Sequence, residues 1–225
     1  MVNLVRRIVT RGRDLAIAIT LFMIPLSAAA HPHGWVDLQV SVILDEQGRV
    51  EALQQRWRLD PFYSLILLEE LGRADSDASM DARLDQLGTE IRDNLDSQGY
   101  FTEIAHAGES VPSGRVEEYT TMARGERVEF TFRLPLASPL SLEDQPLQYR
   151  IYDPTYYIEI VHDADDEGRE DEALSVTGND CTTRIIPADP DPERVAEAAR
   201  LDQTDDAPDG LGRFFAETGE VQCAP

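Results

Sequence analysis

Four histidines occur in the 225 residues, and two of them, His31 and His33, flank a single proline. If the chain is cut after Ala30, His31 becomes the first residue, and its α-amine and imidazole can chelate one ion together. His33 follows two positions later on an extended segment, on the same face and ~7 Å along, near enough to share that ion if the terminus bends. Pro32 acts by subtraction, because it has no amide N–H to lose. The square-planar amidate site that amino-terminal X-X-His peptides form with copper or nickel is therefore blocked. Imidazole, amine and carboxylate ligation remain, a set suited to zinc, nickel, cobalt or copper. A solvated terminus with two exposed histidines is the plain alternative.

Other ligands must come from elsewhere in the chain. His162 ends an expected strand beside the acidic run 163–172, and it joins His31 and His33 if the two strand ends lie together. Asp153 precedes Pro154 in a turn; it is a candidate fourth ligand, although Asp in such turns often bonds its own backbone. His106 lies next to the turn residues Ala107 and Gly108 and reads as exposed. Asp37 shares the His33 face, but four strand residues put it ~13 Å away, too far for one ion. The acidic run attracts cations, yet a charge run is ordinarily just solvated.

The cut itself is legible. Arg6, Arg7, Arg11 and Arg13 give residues 1–30 a positive start, Leu15–Leu26 is apolar, and Ala28, Ala29 and Ala30 are the small residues a signal peptidase needs. Twelve apolar residues are too few to cross a bilayer of ~30 Å. The expectation is a cleavable signal peptide over 1–30 and one periplasmic domain over 31–225, not membrane-spanning once cut. The residues around Arg6 and Arg7 match a twin-arginine signal poorly. After the cut, 16 of the 20 arginines and 42 of the 43 acidic residues remain, and lysine is absent throughout. So acidic a chain excludes nucleic acid as a partner and suits a surface kept soluble by charge. Cys181 and Cys223 sit in an exported chain where thiols oxidise. They read as a disulfide closing the C-terminal segment, worth roughly 3–4 kcal/mol by loop entropy.

The elements that must position these residues are mostly strands. Val36, Leu38, Val40 and Val42 alternate with Trp35, Asp37, Gln39 and Ser41, which predicts a strand over 34–44. Asp45-Glu46-Gln47-Gly48 turns the chain into a second strand at 49–59. Asp60-Pro61 starts a helix with an apolar stripe through Phe62, Leu65, Ile66 and Leu68. A second helix covers 80–96, and strands are expected near 99–106, 115–123, 126–134, 147–152, 155–162 and 182–187. A short helix and a loop fill 189–210. This is a mainly β, antiparallel, sandwich-like α+β fold with a two-helix insertion.

The ordered motifs His31-Pro32-His33-x-Trp35-x-Asp37, Arg56-Trp57, Asp60-x-Phe62-Tyr63-Ser64, Gly99-Tyr100-Phe101-Thr102, Leu134-Pro135-Leu136 and Tyr152-Asp153-Pro154-Thr155-Tyr156-Tyr157 resemble a bacterial periplasmic family. It is the family of domain of unknown function 1007, and the resemblance spans nearly all of 31–225, including Cys181 and Cys223. The resemblance implies an accessory component of transition-metal uptake that works with an inner-membrane metal permease, with zinc as the first expected ion and nickel or cobalt next. Some members carry an EF-hand-like loop between the helices. Here the matching stretch Asp75–Met80 lacks the turn glycine, and the place of the bidentate glutamate is taken by Gln86. An acidic linker capping the next helix through Asp77 or Ser79 accounts for it.

The expectation is therefore a non-enzymatic metal-binding protein. A second class stays open: secreted copper monooxygenases also begin at a mature histidine on a β-sandwich, and His162 or His106 would be the second copper histidine. A structural module that binds no metal is the third. No G-x-S-x-G or glycine-rich phosphate loop occurs.

Overall fold

The alternating valines and leucines drive one face of the first strand out of water, and β1 runs Gly34–Leu44 as the pattern predicts. β2 (Val50–Leu59) returns antiparallel through a turn in which the Asp45 carboxylate accepts the Gln47 and Arg49 amides and Gly48 takes a φ of 75°. The computed structural model describes residues 32–73, 78–142, 145–163, 173–178, 181–201, 207–208 and 210–223. The expected leader, His31 and most of the acidic run 163–172 lie outside the described residues.

Helices α1 (Pro61–Arg73) and α2 (Met80–Asp96) follow β2. Then come β3 (Thr102–His106), β4 (Glu109–Ser110), β5 (Tyr119–Arg124), β6 (Arg127–Leu140), β7 (Leu147–Ile151), β8 (Ile158–His162), β9 (Leu174–Val176), β10 (Cys181–Ile186), α3 (Pro192–Ala198) and β11 (Thr218–Cys223). One sheet has the order β5-β6-β2-β1-β8, with β9 also paired to β1; the other is β10-β11-β7-β3-β4. Pairs are antiparallel except β8 and β9, which run parallel to β1. The fold is mainly β and of the α+β class, in two sheets. Val36, Leu38, Phe130, Phe132 and Leu134 of the first sheet share one core with Ile104, Leu147, Tyr149 and Val221 of the second. Burying each of the larger of these apolar side chains contributes roughly 1.5–3 kcal/mol.

The two helices are held differently. α2 turns Leu84 and Leu95 inward, and Gly88 lets it lie tight on β5, since a Cβ there would stand 2.1 Å from Thr121 Oγ1. Ser79 caps it by accepting the Ala82 amide, the role expected of it, and Gln86 is exposed and donates to Glu90; Asp75, Ser76 and Asp77 lie outside the described residues. α1 differs from its sequence pattern. Its stripe faces solvent, with Phe62 72% and Leu65 51% exposed, and Ser64 is its buried residue. Ser64 Oγ donates to Leu59 O and accepts the Val128 amide, so a polar contact rather than an apolar one pins α1 to the sheet.

Residues 99–101 form a helical turn instead of strand. Tyr100 and Phe101 take φ of 55° and 53°, because the Tyr100 ring is buried in the core while its hydroxyl donates to Asp96 and accepts the Val116 amide. Cys181 and Cys223 face each other across β10 and β11 and are bonded. Among the described residues no helix is long and apolar enough to cross a membrane.

Candidate functional site

Three stretches far apart in sequence meet at the first residues of β1. The His33 amide donates to Tyr157 O at 2.9 Å, and the Asp60 amide donates to Trp35 O at 3.0 Å. A Cβ on Gly34 would stand 2.8 Å from Asp60 Oδ2, so glycine leaves the carboxylate room to lie against the strand. His33–Trp35, the Asp-Pro-Phe-Tyr stretch and the Asp-Pro-Thr-Tyr-Tyr stretch thus share one corner. Trp35, Phe62, Tyr63 and Tyr157, each at least 43% exposed, belong to the same three stretches.

Asp60 is the functional candidate that sequence reasoning missed. Its Oδ1 accepts the Phe62 and Tyr63 amides, both at 3.0 Å, and so caps α1 where the helix dipole favours a negative charge. The residue is 7% exposed, yet Oδ2 takes no hydrogen bond from any described residue. The corner beneath it is rigid. Arg127 donates from Nε to Leu59 O and from Nη2 to Arg58 O, while its Nη1 pairs with Asp37 Oδ2 at 2.5 Å. Asp37 is therefore committed to arginine. A helix-start Asp-Pro signals a cap; nothing in the sequence tells that only one oxygen is used.

Asp153 shapes the loop opposite His33. Oδ1 accepts the Thr155 amide and hydroxyl, and Oδ2 accepts the Tyr157 and Ile158 amides. Four donors fill the four lone-pair positions of a carboxylate, so its backbone role is the one realised and it has no position left for an ion. The loop holds Tyr156 at φ 56° and stacks its ring on Phe215 at 4.1 Å, and the neighbouring Tyr157 ring lies 4.5 Å from the His33 ring. Burial, helped by Glu159, pushes the Tyr156 hydroxyl up to about 12.

His162 does not join His33. Because β8 runs parallel to β1, Ile158 lies opposite Gly34 and His162 opposite Leu38, which is five residues past His33, or about 16 Å. Its side chain points into the core at 7% exposure, where both ring nitrogens are engaged. Nδ1 and the backbone amide donate to Glu217 Oε2 at 2.8 and 2.7 Å, which leaves Nε2 to accept the Tyr149 hydroxyl at 2.8 Å. Burial pushes the Glu217 carboxyl up, but the His162 hydrogen bonds outweigh it and hold it below the usual value. Burial and then Glu217 raise Glu159, and burial followed by Glu217 raises Tyr149 well above a free phenol. His106 is half-buried at the end of β3 in the other sheet. Asp163 pairs with Arg58 at 3.0 Å and accepts from Gln39.

The corner therefore offers one imidazole and one unengaged carboxylate oxygen, with no sulfur. Among the described residues no three His, Cys, Asp or Glu side chains gather closely enough to enclose an ion.

Fold and corner together define an α+β protein of two β-sheets with a histidine and a carboxylate at the start of its central hairpin. The chain belongs to the family described as protein of unknown function DUF1007, whose model matches residues 16–223. It is 28% identical over 214 residues to an uncharacterized protein of Haemophilus influenzae (strain ATCC 51907 / DSM 11121 / KW20 / Rd), covering 94% of this chain and 99% of that one. No solved structure matches.

Proposed function

We propose that the protein is a periplasmic, non-enzymatic carrier that captures a divalent transition-metal ion, zinc first, and supports its uptake through an inner-membrane permease. The observation that carries this reading is the meeting of three distant motifs around His33. In the proposal, signal-peptide cleavage after Ala30 frees the His31 amine, and amine, His31 ring and His33 ring capture the ion. His162 and Asp153 leave the ligand set, the first by distance and the second by saturation. Because an amine or an imidazole must shed a proton to ligate, protons compete and the ion is released as pH falls.

The copper-enzyme reading needs His162 or His106 as its second histidine, and among the described residues His162 is held in the core by Glu217 and Tyr149 while His106 lies in the other sheet. The test is a calorimetric titration with Zn²⁺ of the protein as the cell exports it, its first residue read by mass spectrometry, beside His33→Ala. Tight one-to-one binding that weakens at least tenfold in the variant supports the reading. Equal binding by both proteins, or none by either, ends it.

A further inference from the structure

We propose that Asp60 ligates the ion and that its two oxygens divide their roles, Oδ2 binding metal while Oδ1 caps α1, so that ion occupancy is felt in the first turn of α1. This rests on the reading of His33 as a metal ligand. The other buried carboxylate of the corner, Asp153, is saturated by four donors, and Asp37 is answered by arginine. Asp60 is as deeply buried, at 7% exposure, and among the described residues no arginine pairs with it and no donor reaches Oδ2. Oδ2 is not sealed from solvent, so this carboxylate oxygen, which takes no donor from the described residues, stays open to a divalent cation.

The position also fits. Oδ2 faces the space that any side chain on Gly34 would fill, and Gly34 is the residue next to His33. His33 stands in a bend just before β1, so strand alternation does not force its ring to the face opposite Asp60. Imidazole nitrogen with carboxylate oxygen and no sulfur is a donor set for Zn²⁺, Co²⁺ or Ni²⁺ rather than for soft monovalent ions. Ligation fixes the carboxylate in the orientation that accepts the Phe62 and Tyr63 amides. An ion that binds only this orientation suppresses fraying of the turn by a factor of one plus the ion concentration divided by Kd, about 100-fold at 100 times Kd.

The experiment uses the exported protein with Zn²⁺ and Co²⁺ as probes. Asp60→Asn keeps an acceptor for both capping amides, since Asn caps as well as Asp, but presents no second oxygen. Its melting temperature without metal is expected to match the parent, while Zn²⁺ affinity falls at least about tenfold and the visible Co²⁺ band changes. In the unaltered protein, saturating Zn²⁺ is expected to slow hydrogen exchange at the Phe62 and Tyr63 amides at least about fivefold while leaving Ile91 in α2 unchanged. If Asp60→Asn binds Zn²⁺ normally while His33→Ala does not, the Asp60 assignment falls and the His33 reading stands. If both variants bind normally, both fall. If Asp60→Asn melts lower, the exchange experiment decides without it, and no slowing at Phe62 and Tyr63 overturns the proposal.

Discussion

At the scale of single residues the corner is built from groups with no slack, and that makes them testable. Gly34→Ala would set a methyl 2.8 Å from Asp60 Oδ2, closer than real Cβ contacts come, so the carboxylate must move. We expect a loss of about 1–3 kcal/mol in urea unfolding together with weakened Zn²⁺ binding. Unchanged values for both would mean that the corner yields freely. Glu217 and Glu159 predict opposite pH behaviour. Glu217 titrates below its unfolded value, so its contribution is present above that value and is lost as pH falls through the lowered one. Glu217→Gln should therefore cost about 1–2 kcal/mol at pH 7 and progressively less as the pH falls through that lowered value. Glu159 is raised by burial and by Glu217, so the folded protein favours its neutral form, and the contribution is lost as pH rises. Glu159→Gln should then stabilise the protein at pH 7 by only a few tenths of a kcal/mol after solvent screening, with no gain near pH 4. A Glu217→Gln deficit equal at pH 3 and pH 7 would trace its effect to packing instead of charge.

At the scale of elements, what could be read was what period alone determines. β1 and α2 fall on their predicted spans, because four alternating valines and leucines, or Leu84, Leu87, Ile91 and Leu95 at helical spacing, leave one face to bury. The stripe of α1 carries the same signal with the opposite outcome, since period says that a face is apolar but not whether a partner covers it. Register was equally hidden. Nothing local in Thr155–His162 reveals that β8 runs parallel to β1, and that one fact separates His162 from His33. Asp60 was legible as a cap and illegible as a spare oxygen, because the second property belongs to Gly34, twenty-six residues earlier. The contrast between helices gives a prediction. Leu65→Gln in α1 should change stability by less than about 0.5 kcal/mol, as for an exposed site, whereas Leu84→Ala in α2 should cost about 2–5 kcal/mol. Equal losses in chemical denaturation would show that the α1 face is covered in solution.

At the scale of the whole molecule two long-range terms act, and reagents separate them. The Cys181–Cys223 bond closes 42 residues around α3 and ties β10 to β11, which stabilises by about 4 kcal/mol in the chain-entropy model. The second term is charge. The chain carries 43 acidic residues against 20 arginines, so like charges repel across its surface, and that repulsion is relieved when the screening length shrinks from about 10 Å at 0.1 M salt to about 3 Å at 1 M. Opposing it are the pairs Arg127–Asp37 and Arg58–Asp163, which are partly buried and so are screened far less than the exposed acids. Repulsion should win, and the melting temperature should rise with sodium chloride by several degrees in both the oxidised and the reduced protein. A fall with salt would mean that the arginine–aspartate pairs on the outer face of β1 and β2 outweigh the net charge in holding the first sheet together.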